Sequence, residues 1–314
     1  MNCLLSICIP TYNRAPYTKE LLIELINQIN QNKFEHNIEI CISDNGSTDN
    51  TFTEIEPIIK NVNYIKYYQL DSNKGADYNF YNVANMASNK YIWWFCSDDL
   101  PENDCLKNLM LFLQDKNPNI LYLAHNLYSK NMQNNYGLHP YLKEFQNKNQ
   151  FNGNQDFIEF TYMLGYIGAI IIKKSAYNMI KNKLIFNKSC YVHVAWVLEL
   201  VTKYNLSINY YNIPLIKHRL DNDSFIENNN LFKRMMIDIN GYKLIGKHFL
   251  DKKSFYTFYS NVYNKHVRGK LMVLAKNNNW FNCLRVYIIN FSFMFKNQIF
   301  YTDLLRIFLK RFIR

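Results

Sequence analysis

The chain has 314 residues, 48% apolar and 19% charged, which supports a sizeable core and excludes a globally disordered protein. Its net charge of +11 is uneven: residues 1–100 carry 7 basic and 12 acidic side chains, residues 101–240 carry 15 and 11, and residues 241–314 carry 14 and 2. A protein that coats nucleic acid would spread Lys and Arg over its binding face rather than gather them at one end, so no nucleic-acid partner is expected.

In chain order, Leu4 to Ile9 is a short apolar run closed by Pro10 and reads as a buried strand. Leu21, Leu22, Leu25, Ile26 and Ile29 then recur at helical spacing within 17–29. An Ile-rich strand is predicted at 37–43, and a helix at 50–60 with Asp49 as its N-cap. A strand at 62–70, a helix at 78–88 and a strand at 91–96 built on Trp93 and Trp94 follow. The polar, Asn-rich stretch 129–156 reads as a long loop over the site. Beyond it come a strand at 165–172, a short helix from Ser175, a helix at 191–204, a strand at 206–213 and a polar loop at 218–229. Everything after that reads as helix.

Such alternation predicts an α/β fold, a mostly parallel sheet flanked by helices, followed by a helical, basic C-terminal appendage. The boundary is placed at 227/228, with a first half at 1–115 and a second at 116–227. The seven cysteines are odd in number, scattered and without a C-x-x-C pair, which points to a reducing compartment. The N-terminus lacks a basic segment ahead of its apolar run, and no apolar stretch reaches 18 residues; the expected location is cytoplasmic.

In doubly wound sheets ligands bind beyond the carboxyl ends of the strands. Here those ends carry Pro10-Thr11-Tyr12-Asn13-Arg14, Asp44-Asn45-Gly46-Ser47, Asp71-Ser72-Asn73-Lys74-Gly75 and Ser97-Asp98-Asp99. Adjacent carboxylates cannot be buried unpaired without a cost of several kcal/mol each. Asp98 and Asp99 therefore face solvent, hydroxyls or a divalent cation, unless they merely place negative charge at a helix entry.

Taken together, SICIPTYNR at 6–14, ISDNGSTDNT at 42–51, NKGADYN at 73–79 and WWFCSDDLP at 93–101 resemble the family 2 glycosyltransferases. Within that family the chain is most like the abequosyltransferase-like enzymes of bacterial O-antigen and capsule synthesis. The resemblance implies a GT-A fold and transfer of a sugar, with inversion, from a nucleoside-diphosphate sugar to a glycan or lipid-linked acceptor, assisted by Mn²⁺ or Mg²⁺. It also implies roles for single residues. Pro10, Tyr12 and Arg14 would frame the nucleotide pocket; Asp44 would bond the base, beside Asn45; Lys74 and Asp77 would line the donor site. Asp98 would hold sugar hydroxyls and Asp99 the metal, with Asp98 and His218 as further ligands. The family's usual Asp-x-Asp-Asp reads Cys96-Ser97-Asp98-Asp99 here, so one acid is absent.

The resemblance places a general base at the start of the helix near 191, where no acid stands and His193 takes its place. The base is left between His193, an acid elsewhere and a deficient site. Gly165, Tyr166 and Gly168 resemble the acceptor-side turn, and His218-Arg219 with Asn222-Asp223-Ser224 the segment that closes on the diphosphate. In 301–314, Tyr301, Leu304, Leu305, Phe308, Leu309 and Phe312 share one helical face, opposite Thr302, Arg306, Lys310 and Arg314. That pattern suits peripheral attachment to an anionic membrane or packing against the catalytic domain. Other readings are a nucleotidyltransferase-like protein, against which the absence of a Gly-rich basic loop after the first strand speaks, and a non-catalytic membrane-tethered scaffold.

Overall fold

In the computed structural model the described residues are 3–222, 230–277, 279–294 and 297–312. The chain divides into two compact units, residues 1–153 with 163–222, and residues 154–162 with 223–314.

The first unit opens with β1 (Leu5–Thr11), α1 (Ala15–Asn32), β2 (Ile38–Asp44), α2 (Thr51–Ile59), β3 (Ile65–Gln69), α3 (Ala76–Met86) and β4 (Tyr91–Trp94). Next come β5 (Leu100–Pro101), α4 (Cys105–Lys116), β6 (Ile120–Tyr128), β7 (Asn135–Leu138), β8 (Gln150–Phe151) and α5 (Gly153–Phe160), whose later residues belong to the second unit. Finally there are β9 (Ile170–Lys173), α6 (Lys174–Met179), α7 (Val192–Tyr204) and β10 (Ile208–Arg219). The sheet order is β3-β2-β1-β4-β9-β6-β10-β5, with β7 on β6 and β8 on β10. β1, β2, β3 and β4 are mutually parallel, as are β6 and β10. β9 enters antiparallel between β4 and β6. The strand order reverses at β1, between β2 and β4, so the crevice lies beyond the ends of β1 and β4.

The core is what the apolar runs require. β1, β2 and β4 are buried almost throughout, and Leu21, Leu22, Leu25 and Ile29 form the inner face of α1. Trp93, Trp94 and Trp196 are buried, and each donates its indole N–H to a backbone carbonyl, of Gly168, Phe80 and Lys183 in turn.

Three expectations are corrected. The predicted loop 129–156 is structured: β7 pairs with β6, a 3₁₀ turn spans Pro140–Phe145, and β8 pairs with β10. Strands of four and two residues are too short to show periodicity. The strand expected at 165–172 begins only at Ile170, after a 3₁₀ turn at Ile167–Ala169. The strand expected to end at Ile213 continues to Arg219, its register shifting between Tyr211 and Ile216 around Pro214, which has no N–H to give the ladder. All seven cysteines are free thiols.

At the amino ends of the strands Glu39 accepts hydrogen bonds from Ser6 Oγ, Lys66 Nζ, the Ser88 N–H and hydroxyl, and the Asn89 N–H. Burial raises its pKa, but the bonds from Lys66, Ser6 and Ser88 outweigh that and hold it at about 2. The unfolded chain thus takes up this proton first, near pH 4.5. The contribution is complete above that pH and is lost as pH falls toward 2. Discounted for the half-exposed Lys66, it is about 2 kcal/mol. Urea melts between pH 6 and pH 3 should show Glu39→Gln removing that part of the acid sensitivity; identical pH slopes would contradict it.

The second unit contains α8 (Leu231–Phe249), α9 (Lys252–Val262), α10 (Arg268–Lys276), α11 (Trp280–Met294) and α12 (Gln298–Phe312). Asp251 caps α9 by accepting from the Ser254 N–H, and α9 passes into α10 through a π-helical turn at Tyr263–Val267. Buried Asp238 pairs with Arg234 and Lys270, and buried Asp303 takes two hydrogen bonds from Arg268, which fixes α12 to α10. The inner face of α12 is Phe300, Asp303 and Ile307, while Leu305 is exposed. The expected apolar face of Tyr301, Leu304 and Leu305 is therefore rotated, because the Arg268–Asp303 pair and the rings of Tyr263 and Tyr287 against Phe300 set the contact. The side chains of Phe308, Leu309, Lys310 and Phe312, and all of Arg314, lie outside the described residues. Among the described residues no helix is long and apolar enough to cross a membrane.

Candidate active site

The end of β1 turns at Asn13, which is held in the left-handed region. Its N–H donates to Ser47 Oγ, and its side-chain carbonyl accepts from the Thr48 N–H. Pro10 is half-buried and Tyr12 exposed at this rim. Asp44, at the end of β2, is fully buried and accepts from the Ser47 N–H and the Tyr67 hydroxyl, both at 2.8 Å. Asn45 accepts from the Lys74 N–H and donates to Asn73 and the Gly75 carbonyl. Asp44 and Asn45 thus brace the pocket wall. Gly46 has φ +72°, and a Cβ there would meet the Ser72 backbone at 2.8 Å, so only glycine closes this turn. Lys74 lies exposed at the entry to α3.

Asp77 also departs from expectation. It is buried, and it accepts from the Cys190 N–H at 2.8 Å and the Val192 N–H at 3.1 Å. Its carboxylate therefore occupies the amino end of α7, where the family resemblance implies an acid, but it comes from α3. Burial raises its pKa against the pull of those backbone bonds. Asn79, two residues on, ties the ends of β1 and β2 through the Thr11 and Ser43 carbonyls.

The centre of the crevice lies after β4 and at the end of β10. Asp99 accepts from the Arg219 N–H at 2.7 Å on one oxygen. On the other it meets the Tyr166 hydroxyl at 2.5 Å and His218 Nδ1 at 3.4 Å. Asp98, 22% exposed at its side chain, faces Arg14 at 3.6 Å and accepts from Asn222 Nδ2 at 2.9 Å. Burial and the Asp99 charge push the Asp98 carboxyl up to about 6, with Arg14 opposing. Burial would lower His218, but the Asp99 carboxylate outweighs it and holds the imidazole above its ordinary value.

Arg219 does not aim into the opening. It is buried, and its guanidinium donates to the Asp98 and Lys130 carbonyls and to Glu20, each at 2.6 Å. Tyr17 lies under both Arg219 and Arg14. Arg219 is therefore a brace for the Asp98–Asp99 turn, and Arg14 is the arginine that faces the carboxylate. Asp223 and Ser224 of the expected closing segment lie outside the described residues.

His193 is the base candidate that the sequence offers. It is 2% exposed on α7, with Nε2 against the Gly165 carbonyl and Nδ1 unpartnered among the described residues. Burial lowers its pKa to about 4. A ring enclosed by Phe80 and Tyr191 presents no nitrogen to an acceptor hydroxyl. At Gly168 a Cβ would meet the Tyr166 ring and hydroxyl at 2.8 Å and Cys96 Sγ at 3.1 Å. The missing side chain is the space through which Tyr166 reaches Asp99.

Sequence reasoning missed Tyr17, Glu20, His125 and His139. Tyr17 and Glu20 stand one turn apart on α1, a spacing indistinguishable from an ordinary surface pair. His125 is buried beside Tyr166, His139 and His218, a cluster assembled by the pairing of β6 with β7, β9 and β10.

Cys96 Sγ and the carboxylate oxygens of Asp98 and Asp99 lie within 4.8 Å of one another, the one group of three such ligands among the described residues. Two carboxylates that converge this closely suit a divalent cation.

The sequence model described as "Glycosyl transferase family 2" matches residues 6–177. Abequosyltransferase RfbV of Salmonella typhimurium is 33% identical over 259 residues, covering 79% of this chain and 76% of its own. The chain belongs to glycosyltransferase family 2. An uncharacterized glycosyltransferase of Haemophilus influenzae is 30% identical over 40% of this chain and 47% of its own. The fold is GT-A-like. S. aureus TarS 1-349 in complex with UDP-GlcNAc superposes with a TM-score of 0.68 at 15% identity, over 93% of this chain and 80% of that one. The mannosyltransferase PcManGT of Pyrobaculum calidifontis, in complex with GDP-Man and Mn²⁺, gives 0.56 at 12% identity, over 88% and 76%.

In this family 2 glycosyltransferase the Tyr166–Asp99 contact is open to a direct test. Gly168→Ala should push the Tyr166 ring aside and lower turnover about tenfold, the equivalent of one lost hydrogen bond. Displacing the ring should also lower stability by about 1–3 kcal/mol; unchanged turnover would show that the contact is dispensable.

Proposed function

We propose that this glycosyltransferase moves a hexosyl or deoxyhexosyl group, with inversion, from a nucleoside-diphosphate sugar to a glycan or lipid-linked oligosaccharide acceptor in bacterial surface-polysaccharide synthesis. The observation that carries the reading is the convergence of Arg14, Asp98, Asp99 and His218 from the ends of β1, β4 and β10 on one crevice. The likeness to an abequosyltransferase supports a deoxyhexosyl donor.

Asp98 and Asp99, with Cys96 beside them, would hold Mn²⁺ or Mg²⁺, and the chemistry such an ion supplies when bound is neutralisation of charge on a departing diphosphate. The chain's own residues set that site in advance. Arg219 and Tyr166 fix the Asp99 carboxylate, so little reorganisation is required when the donor binds. Arg14 adds positive charge beside the paired acids, His218 Nδ1 lies against Asp99, and Asp98 retains an exposed edge for donor hydroxyls.

A panel of UDP-, GDP-, dTDP- and CDP-sugars with Mn²⁺, scored for diphosphate release and for donor binding by calorimetry, tests this. One donor class should bind and be turned over; no binding and no release across the panel would overturn the proposal.

A further inference from the structure

The second unit presents an apolar surface on α11 that no described part of the chain covers. Cys283, Val286, Tyr287, Asn290 and Met294 form the inner face of this helix. On the outer face Phe281 is 72% exposed, Leu284 43%, Ile288 66% and Phe291 55%. Those positions recur at intervals of three and four, so they form one stripe along the helix. A helix that is apolar on both faces is normally a core helix or a membrane span. Fifteen residues rise only about 22 Å, short of the hydrocarbon thickness, and none of the described helices meets the requirements for a span.

The exposed charge of the described α8–α12 residues is almost entirely positive. No acid occurs from Lys252 to Thr302. Of the three acids described in α8–α12 and their connections, Asp238 and Asp303 are buried in ion pairs, and only Asp251 is exposed. Lys252, Lys253, Lys276, Arg285 and Arg306 are exposed. Arg285 sits beside the stripe with its guanidinium over the Phe281 and Phe232 rings, so its stem covers apolar surface while its charge stays at the rim. Phe291 touches Tyr301, which carries the apolar surface on to α12 and its exposed Leu305.

We infer that α11 lies in the plane of an anionic phospholipid bilayer, with Phe281, Leu284, Ile288 and Phe291 entering the headgroup–acyl boundary and the surrounding Lys and Arg meeting lipid phosphates. Apolar burial and attraction to anionic headgroups are the two terms that hold an interfacial helix. The internal pairing of Asp238 and Asp303 removes the charges that would oppose it. The insertion is placed on α11, whose outer stripe is described, with Leu305 of α12 exposed in the same unit. The inference stands apart from the sugar-transfer reading, since it concerns lipid alone.

The test is co-sedimentation of the full chain with vesicles of 70% phosphatidylcholine and 30% phosphatidylglycerol, against pure phosphatidylcholine, at low and at 0.3 M salt. The wild-type protein should sediment with the anionic vesicles and be partly released by salt. Ile288→Ser with Phe291→Ser, both exposed and therefore compatible with folding, should lower the partition at least tenfold while donor binding is kept. Equal sedimentation of variant and wild type would overturn the inference, as would no sedimentation of the wild type. So would light scattering that shows a stable wild-type dimer which the double variant converts to monomer, since a second copy would then be the occupant.

Discussion

Replacing Asp99 with Ala should lower sugar transfer by about 10³-fold or more, the scale seen when a principal electrostatic contact to developing charge is lost. Asp99 is where three elements meet: it arises after β4, takes the Arg219 N–H from β10 and receives Tyr166 from the turn before β9. Alanine also leaves those donors without an acceptor, a loss of about 2–4 kcal/mol in urea melts. Asp99→Asn separates the two effects. It retains one carbonyl oxygen and the shape of the side chain, so most of the stability should return, whereas turnover measured by diphosphate release should stay low because the negative charge is gone. An Asp99→Asn enzyme that turns over like the wild type would remove this carboxylate from the reaction.

Asp77→Ala should be among the most damaging changes to stability outside the apolar core. The carboxylate fills the amino end of α7 and takes the Cys190 and Val192 N–H groups in a buried setting. Without it, donors at the helix start have neither water nor protein as partner, which costs about 3 kcal/mol. Burial raises the Asp77 pKa, so the charge itself is a cost and the acceptor oxygens are the benefit. Asp77→Asn keeps one acceptor oxygen but sets its NH2 against the other backbone N–H, so it should recover only part of the stability lost in Asp77→Ala in denaturant melts. Full wild-type stability in either variant would show that α7 does not need these two acceptors.

Legibility varied with how local each signal was. The strands β1, β2 and β4 and the helix α1 were readable because burial on both faces, or on one helical stripe, writes a continuous or periodic apolar pattern. The region after β6 was not, since β7 and β8 take their stability from pairing with β6 and β10 rather than from their own residues. At the site, Asp98, Asp99, Arg14 and Tyr166 were named from motifs and are brought together. Asp44, Asp77 and Arg219 were named with them and prove to be occupied by protein partners. A motif records which side chain stands at a strand end, but not whether its oxygens or nitrogens are already committed.

Sequence alone determined the α/β class, the family, the basic C-terminal helices and the cluster of polar residues at strand ends, because each is carried by residue order and spacing. Only the tertiary structure decided which of those polar groups remain available. Asp77 and Cys190 are 113 residues apart, and Asp99 and Arg219 are 120 apart, so their pairing follows from sheet order and leaves no trace in local pattern. The same holds for the tail. The excess of Lys and Arg was legible from composition, whereas the outward apolar stripe of α11 appeared only once packing had assigned its other face to the core.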